Sequence, residues 1–140
     1  MSTPNDRRYT DQHEWALVQG TEGAGATADA GIIVRVGITD HAQDALGDIV
    51  FVQLPDVGDE VGPGNPIGEV ESTKSVSDVY APIAGVVSAV NEALADAPET
   101  INADPYGDGW LVEISVTGDD GDPTATLLDA AAYQELVDGS

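Results

Sequence analysis

Residues 67–82 read IGEVESTKSVSDVYAP, and the symmetry of this stretch about Lys74 decides the fold. The arms 67–72 (IGEVES) and 75–80 (SVSDVY) are equal in length and alternate apolar with polar residues, the period of a half-buried strand. With Thr73 and Lys74 as a two-residue loop, Ser72 faces Ser75, Val70 faces Ser77 and Gly68 faces Val79. The lysine then stands at the tip of a hairpin. Thr-Lys is not the Asn-Gly pair that tight hairpins favour, so the assignment rests on the matched arms and not on the turn.

Working outward, the same grammar of short strands and frequent turns continues. Upstream, Ile49 to Leu54 is a β-branched strand that ends at Pro55, and PDVGDEVGPGNP carries Gly or Pro at nearly every bend. Gly31 to Ile38, GIIVRVGI, is another strand, and His13 to Val18 a further one. These two form a hairpin with a long tip, residues 19–30, rich in Gly, Ala, Thr and acidic side chains. Residues 1–13 are polar and read as loose. Between strands, residues 39–47 predict a short helix: Thr39 or Asp40 can cap it, Asp40 and Gln43 have capping-box spacing, and Gly47 suits the stop. Downstream come a turn at Ala81–Gly85, strands over Val86–Val90 and Gly109–Val116, and a terminal helix opening at Asp122-Pro123-Thr124. Leu128, Ala132 and Leu136 are spaced as its buried stripe. The chain is therefore mainly β, a flattened barrel or sandwich, with a short helix near residues 40–46 and a C-terminal helix at its edges.

Composition limits what such a domain can do. At 140 residues it is one domain, long enough to bury a core, and it has no cysteine, so disulfide and thiolate chemistry cannot come from its own side chains. No apolar run is long enough to span a bilayer, and the N-terminus lacks the apolar stretch of a secretory signal, so the expected location is the cytoplasm. The net charge of −22 repels phosphate backbones and anionic membranes, so neither nucleic acid nor membrane is an expected partner. The 26 acidic residues are scattered among Val, Ile, Leu and Gly, which points to a folded, salt-adapted protein and not to an acidic tail.

Against this background the positive charges stand out. They are Arg7, Arg8, Arg35 and Lys74, so the lone lysine is the one at the hairpin tip. Either salt adaptation removed the others and left one by chance, or an ε-amino group is required there. A long group held through that amine needs a protruding turn on a rigid scaffold. Amide formation would remove the lysine charge and take the net charge from −22 to −23.

ESTKSVSDVYAP, residues 71–82, resembles the lipoylation segment of the H proteins of the glycine cleavage system. The resemblance extends to His13-Glu14-Trp15, to VGITDHAQ (36–43), to GDIVFVQLP (47–55), to Gly85-Val86-Val87 and Val90-Asn91, to PETIN (98–102) and to PYGDGWL (105–111). It covers about residues 9–137, in order. It implies a single lipoyl-carrier domain over 1–140, of the flattened β-barrel or sandwich lipoyl-domain type, that is a carrier and not an enzyme. Lipoate would be held in amide linkage to Lys74 by a lipoate ligase or a lipoyl/octanoyl transferase. The family's partners are the P-protein (glycine decarboxylase), the T-protein (aminomethyltransferase) and the L-protein (dihydrolipoyl dehydrogenase), among which an aminomethyl group is shuttled. By the same resemblance Glu14 and Asp78 match acidic positions near a cleft that receives the loaded arm, where a carboxylate can hold an ammonium.

The sequence also departs from the family. The 19–30 loop is longer than usual, and Thr73 and Ser75 stand where hydrophobic or alanine residues are common. An H-like relay that donates lipoate to other complexes shares the same hairpin and remains the alternative. A biotin carrier is disfavoured, since such proteins place methionine on both sides of the lysine. His13 and His41 lie in separate segments and lack metal-site spacing; His13 is expected to support the first strand and His41 to sit on an exposed helix turn. Asp56, Asp59 and Glu60 read as solvated surface, and Trp15 and Trp110 as packing.

Overall fold

The computed structural model describes residues 4–20, 32–116 and 127–138. The β-branched and alternating segments form nine strands: β1 Arg8–Tyr9, β2 Glu14–Gly20, β3 Ile32–Ile38, β4 Ile49–Gln53, β5 Glu60–Val61, β6 Pro66–Ser72, β7 Val76–Tyr80, β8 Gly85–Val90 and β9 Val112–Val116. Helix α1, Asp40–Leu46, lies between β3 and β4. The short α2 (Ala93–Asp96) and α3 (Thr100–Ala103) precede β9, and α4 (Ala130–Asp138) follows it.

The strands make two antiparallel sheets, one of order β1-β2-β3-β9-β8-β5 and one of order β4-β6-β7. Neither sheet closes on itself, so the architecture is the sandwich of the two expected forms. Alternate residues of both sheets point inward: Val34, Val36 and Ile114 from the large sheet meet Val52, Val70 and Val79 from the small one in a single core. A second cluster, centred on Tyr9, Trp15 and Tyr133, ties α4 to the outer edge of the large sheet.

Helix α1 begins and ends as its sequence dictates. Thr39 is the cap, its Oγ1 accepting from the Ala42 N–H at 3.2 Å, and Gly47 closes the helix at φ 87° with its N–H on the Gln43 carbonyl. Asp40 lies inside the helix and accepts from the Gln43 side chain at 2.7 Å.

Three sequence expectations change. Residues 8 and 9 are not loose: β1 pairs with β2, and Tyr9 is fully buried, stacked on Tyr133 with ring centroids 4.7 Å apart. One aromatic ring supplies enough apolar area to order a polar segment. Strand β2 continues through Gln19 to Gly20, so the extended loop begins later than residue 19; residues 21–31 lie outside the described residues. The start proposed for the last helix, Asp122–Thr124, also lies outside them, and α4 begins at Ala130. Of the expected stripe, Leu128, which precedes α4 as a bridge to Tyr9, and Leu136 pack on the cluster, whereas Tyr133 and not Ala132 is the buried anchor, with Ala130 and Val137 beside it. The short turns α2 and α3 lacked a periodic signature and were not foreseen.

Candidate functional site

The hairpin of β6 and β7 has the register read from the sequence. Gly68 pairs with Val79 and Val70 with Ser77, and the Ser72 N–H donates to the Ser75 carbonyl at 2.8 Å. Thr73 and Lys74 therefore form the tip. Neither has a positive φ, so this is not the glycine-type turn. Ser72 supplies what glycine would have: its Oγ accepts from the Lys74 N–H at 3.1 Å and the Ser75 N–H at 3.0 Å, which closes the turn from inside. The tip also leans on the α1–β4 turn, where the Thr73 N–H donates to the Asp48 carbonyl at 3.1 Å.

Lys74 is exposed, and its stem lies over Gly47, where the methyl of an alanine would come within 3.2 Å of the lysine Cε. Among the described residues Lys74 makes no salt bridge, whereas each arginine is engaged. Arg7 pairs with Asp6 at 2.9 Å, Arg35 pairs with Glu113 at 2.8 Å, and Arg8 reaches the Leu127 carbonyl at 3.4 Å. The one lysine thus presents an amine that no carboxylate among the described residues claims.

A cleft of about 710 Å³ opens further along the same hairpin, lined by Tyr9, Thr10, Glu14, Tyr80, Pro82 and Leu128 among others. Glu14 sits in its wall and is only 2% exposed. Its carboxyl accepts from Thr10 Oγ1 at 2.7 Å and from the Tyr80 N–H at 3.0 Å. Burial pushes this carboxyl up to about 7, against the opposing pull of those two hydrogen bonds. Thr10 in turn shapes the bend before β2, accepting on its Oγ1 from the Gln12 and Glu14 N–H groups. The bend places His13 in the left-handed region, at φ 68°.

Asp78 does not join Glu14. It is exposed on the outer face of β7, directly opposite Glu69, and does not line the cleft. It shares its strand face with Tyr80, whose N–H holds Glu14, so it stands between the lysine tip and the cleft. The whole run from Lys74 to Tyr80 is roughly 20 Å of strand at about 3.3 Å per residue.

The two histidines come together although the sequence separates them. Their rings lie 4.6 Å apart, and His41 is half-buried against His13 instead of occupying an exposed helix turn. His13 Nδ1 is 2.7 Å from the Tyr133 hydroxyl, which is itself 2.8 Å from Thr39 Oγ1. Burial, with His41 adding to it, holds His13 below the usual imidazole range.

The model of the glycine cleavage H-protein family matches residues 7–139. The chain belongs to the glycine cleavage H-protein family. It is 52% identical over 141 residues to the glycine cleavage system H protein of Beutenbergia cavernae, covering 99% of each chain. It is 55% identical to that of Nocardia farcinica, covering 98% of each. Among solved structures it is similar to the crystal structure of a glycine cleavage system H protein from Mycobacterium marinum. That likeness has a TM-score of 0.76 and 47% identity, and covers 98% of this chain and 99% of the other. As a member of this family the chain is a lipoyl carrier component of the glycine cleavage system.

Of the residues named from the sequence, Lys74, Glu14 and Asp78, the structure places Glu14 in the cleft wall; the other lining residues were not named. Thr10 could have been suspected, since a threonine four residues before a buried carboxylate can both turn the chain and donate to it. Tyr80 contributes a backbone N–H, and Leu128 arrives from the far end of the chain, so neither left a local signal.

Proposed function

We propose that this chain holds lipoate in amide linkage on Lys74 and ferries the aminomethyl group of glycine among the P-, T- and L-proteins, catalysing no step itself. The observation that carries this reading is an exposed lysine, free of any ion pair among the described residues, on a hairpin tip fixed by hydrogen bonds on both sides. When bound, the lipoyl group supplies the dithiol that takes up the one-carbon cargo, chemistry for which the chain has no cysteine of its own.

The residues present fit such a group. The tip gives an exposed covalent anchor, and the cleft further along β7 is walled by Tyr9, Pro82 and Leu128 with the Glu14 carboxyl in its wall. Glu14 serves there as the partner of the cargo's ammonium. Its carboxyl, raised to about 7 by burial, would release its proton to solvent when a cation binds beside it, and the carboxylate would then hold the cargo amine in its protonated form. Asp78, on the strand face between tip and cleft, offers the loaded arm a second, solvated carboxylate. Thr10 and the Tyr80 N–H position Glu14.

The test is reconstitution of the lipoylated chain with purified P-, T- and L-proteins. Glycine-dependent NADH formation that requires this chain is the expected result. A chain that carries lipoate on Lys74, yet supports no NADH formation and passes its lipoyl group to other complexes, would be a relay and would overturn the reading.

A further inference from the structure

The outer face of the small sheet carries side chains that the core does not use. Between Ile49 and Phe51 the register of β4 against β6 shifts by one residue, and this bulge turns two successive apolar residues, Val50 and Phe51, to the outside. They are 53% and 50% exposed, and Phe51 is the chain's one phenylalanine. Across the sheet Phe51 pairs with Glu71 and Glu71 with Val76, which is 58% exposed and two residues past Lys74. Directly paired residues share a face, so Phe51, Glu71 and Val76 form one row over all three strands. The next outward row is Gln53, Glu69 and Asp78. The strands β4, β6 and β7 contain no lysine or arginine, so the face carries apolar side chains on its two outer strands and carboxylates on β6 between them, and it ends at the Lys74 tip.

We propose that this face is the docking surface for the enzyme that acylates Lys74, and that the enzyme meets it with basic residues set between apolar ones. The inference rests on the proposed lipoylation of Lys74. Geometry selects this partner over the enzymes that process the cargo. Amide formation needs the enzyme's reacting atoms in contact with Nζ: the deprotonated amine attacks the activated acyl carbonyl, the C–N bond forms, and adenylate leaves. The enzyme must therefore close on the tip and on the surface beside it, whereas a partner acting at the far end of a long arm need not touch the hairpin. Charge selects the basic residues, since Glu71 lies between Phe51 and Val76, Glu69 and Asp78 form the next row, and no cation of these strands offsets them. Exposed valine and phenylalanine side chains beside a modified residue then have a use as the desolvated part of the contact.

The experiment measures acylation of the unmodified full-length chain by a purified lipoate ligase with lipoate and ATP, following intact mass against carrier concentration. The double variant Phe51→Ser, Val76→Ser is expected to raise KM for the carrier about tenfold with kcat nearly unchanged. Glu69→Lys should raise KM as well. Val57→Ser, at a residue 60% exposed but outside the small sheet, should leave both constants as they were. Phe51, Val57 and Val76 are exposed and Glu69 is half-buried on the outer face of β6, so the variants should fold, and circular dichroism verifies it. A KM for the double variant equal to that of the wild type, or a loss confined to kcat, would overturn the docking surface while leaving lipoylation of Lys74 intact. A wild-type chain that gains no mass at Lys74 would instead remove the carrier reading, and this inference with it.

Discussion

The side-chain amide of Asn102 donates to the carbonyl of Gly47 at 2.9 Å, joining α3 to the turn on which Lys74 rests. The same amide donates to Gln43 Oε1, and Asn102 Oδ1 accepts from the Ile49 N–H, both at 2.9 Å. One side chain thus holds the end of α1, the turn after it and the first residue of β4. The Asp48 carbonyl in the middle of that turn receives the Thr73 N–H, so the clamp passes on to the hairpin tip.

Asn102→Ala should therefore lower stability by about 2 kcal/mol, because the N–H of the buried Ile49 loses its acceptor. The effect should be local before it is global. Amide exchange at Ile49 and Thr73 should accelerate more than at Val34 in the centre of β3. A uniform rise across the chain would mean that the bonds stabilise the fold without specifically holding the tip.

Lys74→Arg separates anchor from scaffold. A guanidinium keeps its charge but offers no amine that can be acylated, so intact mass should show no lipoyl adduct in cells supplied with lipoate. Because Lys74 is exposed and makes no salt bridge among the described residues, unfolding free energy should move by less than about 0.5 kcal/mol. A large loss would show that the lysine stem over Gly47 contributes more to the fold than its exposure implies.

Glu14 gives a pH signature whose sign follows from burial. Its carboxyl is raised from an ordinary value of 4.5 to about 7 in the folded chain, so between those limits the folded state binds the extra proton. The contribution is fully present below pH 4.5 and is lost as pH rises through about 7. Wild type should thus lose on the order of 2–3 kcal/mol relative to Glu14→Gln across that window, the remaining carboxylates being common to both. Urea unfolding at a series of pH values measures the difference, and a difference that does not change with pH would place the carboxyl in a more solvated setting than the cleft wall.

How much of this was legible in the sequence depends on the range of the interaction. The hairpin register was readable because two alternating arms of equal length fix it locally, and α1 because its cap, Thr39, and its stop, Gly47, are adjacent to it. The tip was assigned despite its turn residues, since the hydrogen bonds from Ser72 Oγ that replace glycine cannot be seen in a strand pattern. What stayed hidden depends on contacts between distant segments. Tyr9 is buried beside β2 by Leu128 and Tyr133, which arrive from the C-terminal end, and the two histidines meet in a fold where β2 and β3 pair so that Glu14 faces Ile38. Glu14 was named through its resemblance to a family motif. Its altered acidity follows from burial that no neighbour in sequence announces.

Salt supplies the last test, and it addresses the composition directly. With 26 acidic residues against 4 lysines and arginines, the folded chain concentrates a charge of −22. The arginines relieve little of it, being bound to single carboxylates or to backbone and aromatic groups: Arg35 pairs with Glu113 under Trp110, and Arg7 pairs with Asp6 over Trp15 and Tyr106. Unfolding separates the remaining carboxylates and lowers their mutual repulsion, so screening favours the folded state. The melting temperature should rise steadily from low salt to molar salt and begin to rise at ionic strengths where the screening length falls below about 10 Å. Sodium chloride and potassium chloride should act alike, since screening depends on ionic strength and not on the cation. A flat melting curve would mean that the acidic residues stand too far apart to repel, and the salt-adapted reading of the composition would fail.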